Sequence, residues 1–378
     1  MNRTSFQSIK PQLREVWRLS LPAILTQITT IAMQYIDSAM VGRLGANASA
    51  AIGLVASSTW LMNGVCYALA AGFSVQVAHR IGAGNEKGAR NVVRHGLWSA
   101  LVVSGLLCLI GVAIHMHLPV WLKGDAEITY DAGRYFLTFA WMLPFTQMSS
   151  LTSSFLQCAG DMLTPSILNA VMCVLDVIFN TLLIPKHGVF GAGLGTMLAC
   201  AVVSLLMLYF CRARNGQLCL RREEHRFDAS ILRTALRIGT PVAVQEVAMC
   251  GAQVVSTAII APLGAVSVAA NAFAVTAESI CYMPGYGIAN AAAALVGRSV
   301  GAGDMESAKR DGNICIALGA FLMTCTGAVM MLICPLVFGL LTPVPEVQAL
   351  ASKVLRIELL AEPLFGASIV AAGALRGA

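Results

Sequence analysis

Long apolar runs separated by short polar segments pattern this chain from end to end. A helix needs about 20 mostly apolar residues to cross a bilayer. Runs of that kind occur ten times, at 17–40, 50–78, 93–116, 130–157, 163–184, 189–211, 235–260, 265–296, 313–341 and 347–374. No period-two alternation competes with this helical reading. The breakers sit in the connections: Gly42 and Gly45, Gly82 and Gly84, Pro119 and Gly124, Gly160 and Pro165, Pro185 and Gly188, Gly301 and Gly303. Pro22 and Pro241 are expected near helix starts, and Pro144 and Pro284 inside spans. The longest polar stretch, Arg212 to Arg233, separates two halves. The pattern predicts an all-α integral membrane protein. It has a six-helix domain at 1–216, a linker at 217–234 and a four-helix domain at 235–378.

Composition sharpens the choice of solvent. Of the 378 residues, 57% are hydrophobic and 12% charged, with a mean hydropathy of +0.74. A soluble domain carries roughly 25% charged residues, so lipid rather than water must face much of this chain. The net charge of +6 comes without a dense basic tract interleaved with aromatics, which argues against nucleic acid. With the N-terminus in the cytoplasm, 19 basic residues fall on inside segments and 6 on outside ones. That bias places the N-terminus inside. The first apolar segment has no small-residue cleavage site and is too long for a signal peptide, so it reads as the first span. Twelve cysteines contain no CxxC and no His-paired spacing, and most fall in apolar runs. Neither a disulfide framework nor a metal centre is expected of them.

The chain also repeats itself. Aligning Arg18–Pro22 with Arg237–Pro241 sets an offset of 219 residues. Without a gap, Gln34 then falls on Gln253, Leu44-Gly45-Ala46 on Leu263-Gly264-Ala265, and Gly82-Ala83-Gly84 on Gly301-Ala302-Gly303. Six helices per copy is an even number, so the copies are parallel, related by an axis along the membrane normal. The first copy continues past Cys158-Ala159 into two further helices, whereas the matching point of the second copy is Gly377-Ala378. By the same offset, two more spans would fall at about 382–403 and 408–431. The expectation is a chain holding ten of twelve helices, its second repeat incomplete.

Several motifs carry a resemblance. Asp37–Gly45 (DSAMVGRLG), Gly82–Asn85 with Ala89-Arg90, Ala261–Ala270, Tyr282–Gly285, Val296–Asp304 and Gly373–Ala378, in this order, resemble the MATE family of multidrug and toxic compound extrusion transporters. The resemblance covers essentially the whole chain. It implies two six-helix bundles around a central cavity. It also implies export of bulky, often cationic drugs or metabolites against a proton or sodium gradient by alternating access. The expected partners are small-molecule substrates and the lipid bilayer. The expected location is a bacterial inner membrane, as a multi-pass monomer, with H+ or Na+ as coupling ion and no other cofactor.

Acidic residues inside spans are costly and so point to function. Such a carboxylate can exchange protons near neutral pH or, with amide oxygens, ligate sodium. Asp37 lies one turn after Gln34 and matches the acid of the family's first-helix motif. A plainer reading has it solvated near the helix end, or paired with Arg43. Glu278, in FAVTAESICYMPG, resembles the eighth-helix acid of one branch of the family; interhelical hydrogen bonding is the alternative. Asp176 and Asn180 are one turn apart with Asn169 on the same face, either a cation or proton network or polar glue between helices. Sodium is a candidate at Asp37, Asp176 and Asn180. Glu246 stands three residues before the family's usual seventh-helix position, which here is Met249. Gln34, Asn169, Glu246 and Gln253 are candidates for the substrate cavity. Glu358 and Glu362, beside Pro363, are expected at the membrane interface.

Other classes fit less well. A flippase for anionic lipid-linked precursors would put arginines inside its cavity, whereas here they fall in loops. An intramembrane enzyme would need a paired catalytic set such as HExxH. The six histidines are expected at helix ends or loops. The Gly-Ala-Gly loops follow no strand and lack a lysine-serine pair, so they read as structural turns rather than phosphate cradles.

Overall fold

A computed structural model describes residues 3–122, 124–219, 227–341 and 344–378; the expected linker lies partly outside them. The helices are α1 (Arg3–Gly42), α2 (Ala46–Gly82), α3 (Glu86–Ile114), α4 (His117–Trp121), α5 (Ala126–Cys158), α6 (Leu163–Tyr209), α7 (Ala229–Ile260), α8 (Ala265–Gly301), α9 (Met305–Leu341), α10 (Pro345–Glu358) and α11 (Glu362–Gly377). Among the described residues, seven helices are long and apolar enough to cross a bilayer. The fold is an all-α membrane fold.

Most helices overrun the apolar runs, because backbone bonding continues into charged turns beyond the hydrocarbon. As a result Pro22 and Pro241 lie inside α1 and α7, not near helix starts as expected. The two spans expected around Gly188 form one element, α6, bent where Gly188 takes φ 58° and ψ −133°. The last span is broken instead. A 3₁₀ turn at Leu359–Ala361 separates α10 from α11, whose first turn holds Pro363. His95, expected at a helix end, is instead buried within α3. Its Nε2 accepts the backbone N–H of Asp228 at 3.0 Å, fixing the approach to α7.

The repeat holds at the level of single backbone angles. Gly45 and Gly264 precede α2 and α8 with φ of 111° and 97°, and Gly84 and Gly303 follow them with φ of 69° and 78°. A Cβ is strained in that region, so the turns require glycine. Both helix ends close alike: Asn85 N–H donates to Arg80 O and Asp304 N–H to Ser299 O. Asn85 Oδ1 then accepts Gly88 N–H, and Asp304 Oδ1 accepts Ser307 N–H, capping α3 and α9.

Two compact units result, one of residues 1–31 with 251–378 and the other of residues 32–250. The crossing points, Ile31 and Cys250, are themselves one repeat apart. In the unit of 32–250, α5 packs against α2, α3 and α6 around Val55, Phe136, Phe139 and Leu143. In the other, α8 packs against α9, α10 and α11 around Ala277, Cys281, Phe338 and Leu355. Lipid supplies no hydrophobic drive between such helices, so close packing of small residues must hold them. A Cβ on Gly373 of α11 would run into the Ala289 carbonyl of α8.

Candidate functional site

The unit of 32–250 gathers three of the expected residues into one cluster. Asn180 Nδ2 donates to Asp37 Oδ1 at 2.8 Å and to Asp176 Oδ2 at 3.2 Å. Asp176 and Asn180 are fully buried, one turn apart on α6, and Asp37 on α1 is half-buried. Asp37 is therefore held by Asn180 rather than left in solvent, and Arg43 is exposed. Asp176 Oδ1 and Asn180 Oδ1 have no partner among the described residues. One amide cannot satisfy a buried and a half-buried carboxylate together, because charge away from water must be paired. The set is short of one positive partner, and its oxygens suit a proton or a hard monovalent cation.

The bend at Gly188 makes this cluster possible. It folds the second arm of α6 back along the first, with Gly191 against the Leu183 carbonyl and Gly195 directly against Asn180 Oδ1. A side chain at 195 would displace the amide. Tyr135 of α5 stands close enough to feel both carboxylates. Sequence reasoning missed Gly195 and Tyr135. A glycine one turn from another in an apolar helix was the only hint of the first, and nothing marked the second.

Comparison with known proteins identifies the family. The model of the MatE family matches residues 22–182 and 241–378. The chain belongs to the MatE family. A probable multidrug resistance protein NorM of Pseudomonas aeruginosa is 30% identical, the match covering 97% of this chain and 78% of that protein. A protein of the same name from Pseudomonas syringae pv. tomato is 27% identical over 97% of this chain and 83% of its own. Among solved structures, MATE in complex with MaD3S superposes with a TM-score of 0.91 at 21% identity, over 97% of this chain and 82% of that one. An outward-facing multidrug resistance MATE transporter of the MOP superfamily gives 0.91 at 22%, with the same coverage. At such identities these structures establish the fold alone.

The other expected residues of this MatE chain lie elsewhere. Gln34 is exposed and Asn169 half-buried, and neither hydrogen-bonds to the cluster. Glu246 of α7 packs its Cβ 3.1 Å from where a Cβ on Gly64 of α2 would stand. Gln253 is exposed, and it belongs with Glu278 to the unit holding 251–378. There Glu278 of α8 is half-buried and its charge is felt by Glu358 and Glu362. The interfacial expectation for this last pair is corrected. Glu362 is 1% exposed, and among the described residues both its side-chain oxygens and the buried Glu358 Oε2 lack a partner. The physical reason is the 3₁₀ break, which places the end of α10 at Glu358 and the start of α11 at Glu362 within the packed unit rather than at a membrane boundary. Tyr282, Tyr286 and Phe365 pack edge to face near this second group of acids, with ring centroids 5.8 to 6.1 Å apart.

Proposed function

We propose that this chain is a secondary active exporter of bulky, often cationic drugs or metabolites, working by alternating access in a bacterial plasma membrane. Its coupling ion, a proton or sodium, is taken up at Asp37, Asp176 and Asn180. One observation carries the proposal: two carboxylates share a single amide donor while two further oxygens of the cluster stay unpartnered. Binding of the ion supplies the missing partner, and its release leaves like charges facing each other. That difference in free energy is what shifts a two-state transporter between its conformations. A cationic substrate competes for the same charge. The relatives' names support a drug as substrate, and the unpartnered buried groups at Asp176 and Glu362 are acids, which suits cations better than the anionic lipids of a flippase. Glu278 acts as a second acid, in the other unit.

The test is uptake of a fluorescent cation into inside-out vesicles under separate proton and sodium gradients. Replacing Asp37 by Asn should lower gradient-driven uptake by about a hundredfold, since the ion then loses a charged ligand worth about 3 kcal/mol. Undiminished transport by Asp37→Asn would remove this site from the mechanism.

A further inference from the structure

A cavity of about 560 Å³ opens where the start of α6 meets its far end, away from the acid cluster. Asp161, Thr164, Ile167, Phe210, Arg214 and Gln217 line it. The backbone is unusual here. Phe210–Arg214 form a π-turn, closed by Asn215 N–H donating to Phe210 O at 3.2 Å. Such turns insert one residue into a helix, redirect its side chains and often mark binding sites. This one brings Arg214 to the cavity, its guanidinium 5.5 Å from the centroid of the Phe210 ring. Asp161, the acid in the lining, is already committed. Its Oδ1 accepts Thr164 N–H at 3.0 Å, and its Oδ2 accepts the Thr164 hydroxyl at 2.7 Å. Arg214 has no carboxylate partner among the described residues.

The surroundings are those of a membrane boundary. Tyr209 is exposed beside Phe210, and Arg212 adds a second positive charge on the same turn. Aromatic residues and arginines gather where hydrocarbon gives way to headgroups. From Ile167 at the cavity wall, exposed apolar side chains continue along α6 at helical spacing through Val171, Val174, Ile178 and Leu182. A charged pocket thus opens onto an apolar track long enough for an acyl chain.

We propose that this cavity binds one anionic phospholipid. Its phosphate meets Arg214, its headgroup hydroxyls meet the polar wall at Gln217 and Thr164, and an acyl chain lies along the Ile167–Leu182 track. A free phosphate would use Arg214 but not the track, and a zwitterionic lipid would use the track while its own cation faces Arg214. Basic pockets between helices on the cytoplasmic side are suited to anionic headgroups, and the distribution of basic residues puts this end of α6 on that side.

The test is native mass spectrometry of the purified full-length chain in micelles containing either phosphatidylglycerol or phosphatidylethanolamine. The wild type should retain one phosphatidylglycerol about tenfold more tightly than phosphatidylethanolamine. Arg214→Gln should lose that preference, Arg214→Lys should keep part of it, and Ile167→Asn should weaken retention of both lipids. Arg310→Gln, whose partner Glu306 lies on exposed α9 surface, should behave as the wild type. Unchanged melting of each variant in detergent separates lost binding from lost folding; if Arg214→Gln unfolds, Ile167→Asn and Arg214→Lys decide. Equal retention of the two lipids by the wild type, or full retention by Arg214→Gln, would overturn the proposal. So would displacement of the lipid by soluble glycerol phosphate, which would make this a free-anion site.

Discussion

Leu143 and Glu362 occupy matched positions in the two copies of the repeat, each one residue before a proline, Pro144 or Pro363. Both are almost fully buried. The first sits in an apolar core beneath an unbroken α5, and the second carries two unpartnered oxygens just after a break. The same contrast recurs elsewhere. Asp37 matches Ser256, and Glu278 matches Thr59. The copies therefore share turns and helix ends but not charge: the repeat provides a frame, and acids were placed into it asymmetrically. The outcomes differ as well. Asp37 and Asp176 share the Asn180 amide, whereas both side-chain oxygens of Glu362 lack a partner among the described residues.

Exchanging the matched pair tests this contrast most strongly. Leu143→Glu would bury an uncompensated charge in the α5 core and should lower stability by about 4 kcal/mol, read by chemical unfolding in micelles. Survival of that variant with unchanged stability would mean that the α5 core admits water. Next in size is Gly195→Ala, whose new methyl group overlaps Asn180 Oδ1. Overpacking there should cost about 2 kcal/mol, and pushing the amide aside should abolish the dependence of transport on Asp37. Glu362→Leu restores what the sister copy has and should raise stability by about 1 kcal/mol, seen as a higher melting temperature, since an orphaned buried carboxylate is itself destabilising.

The smallest effect concerns the two caps. Hydrogen bonds from Ser307, backbone first, hold the exposed Asp304 carboxylate below its ordinary value of 3.8. Its contribution is thus fully present above that value and fades as pH falls through the lower folded one. Asn85, the matching cap, carries no charge. Protection of the amides at the start of α9, measured against their intrinsic exchange rates, should fall below about pH 4, and by more than at the start of α3, whose cap carries no charge. Asp304→Asn should abolish the difference.

Much of this architecture could be read in the sequence because turns leave compact signatures. The left-handed glycines at 45, 84, 264 and 303 were visible as matched loop motifs, and they carry the repeat. Asp37 stood out because acids are rare in apolar runs, and Asp176 with Asn180 because four residues make one turn. The approach of α1 to α6 was not legible, because nothing local reports which helix a side chain will meet. Glu362 was misplaced because the helix start at Pro363 was taken for a membrane boundary, and a 3₁₀ break within a span has no sequence mark of its own. Gly195 became meaningful only once the bend at Gly188 was known to bring the arms of α6 together.

Crossing from one unit to the other at Ile31 and again at Cys250 bears on how such a chain could have arisen. A single ancestral copy would have lent the opening part of its first helix to a second molecule and received the equivalent part in return. This is domain swapping, a low-cost route to a dimer. Gene fusion would then have joined two polypeptides that already completed one another. Severing the present chain at the linker should accordingly yield two fragments that must be produced together, neither being a whole folding unit alone.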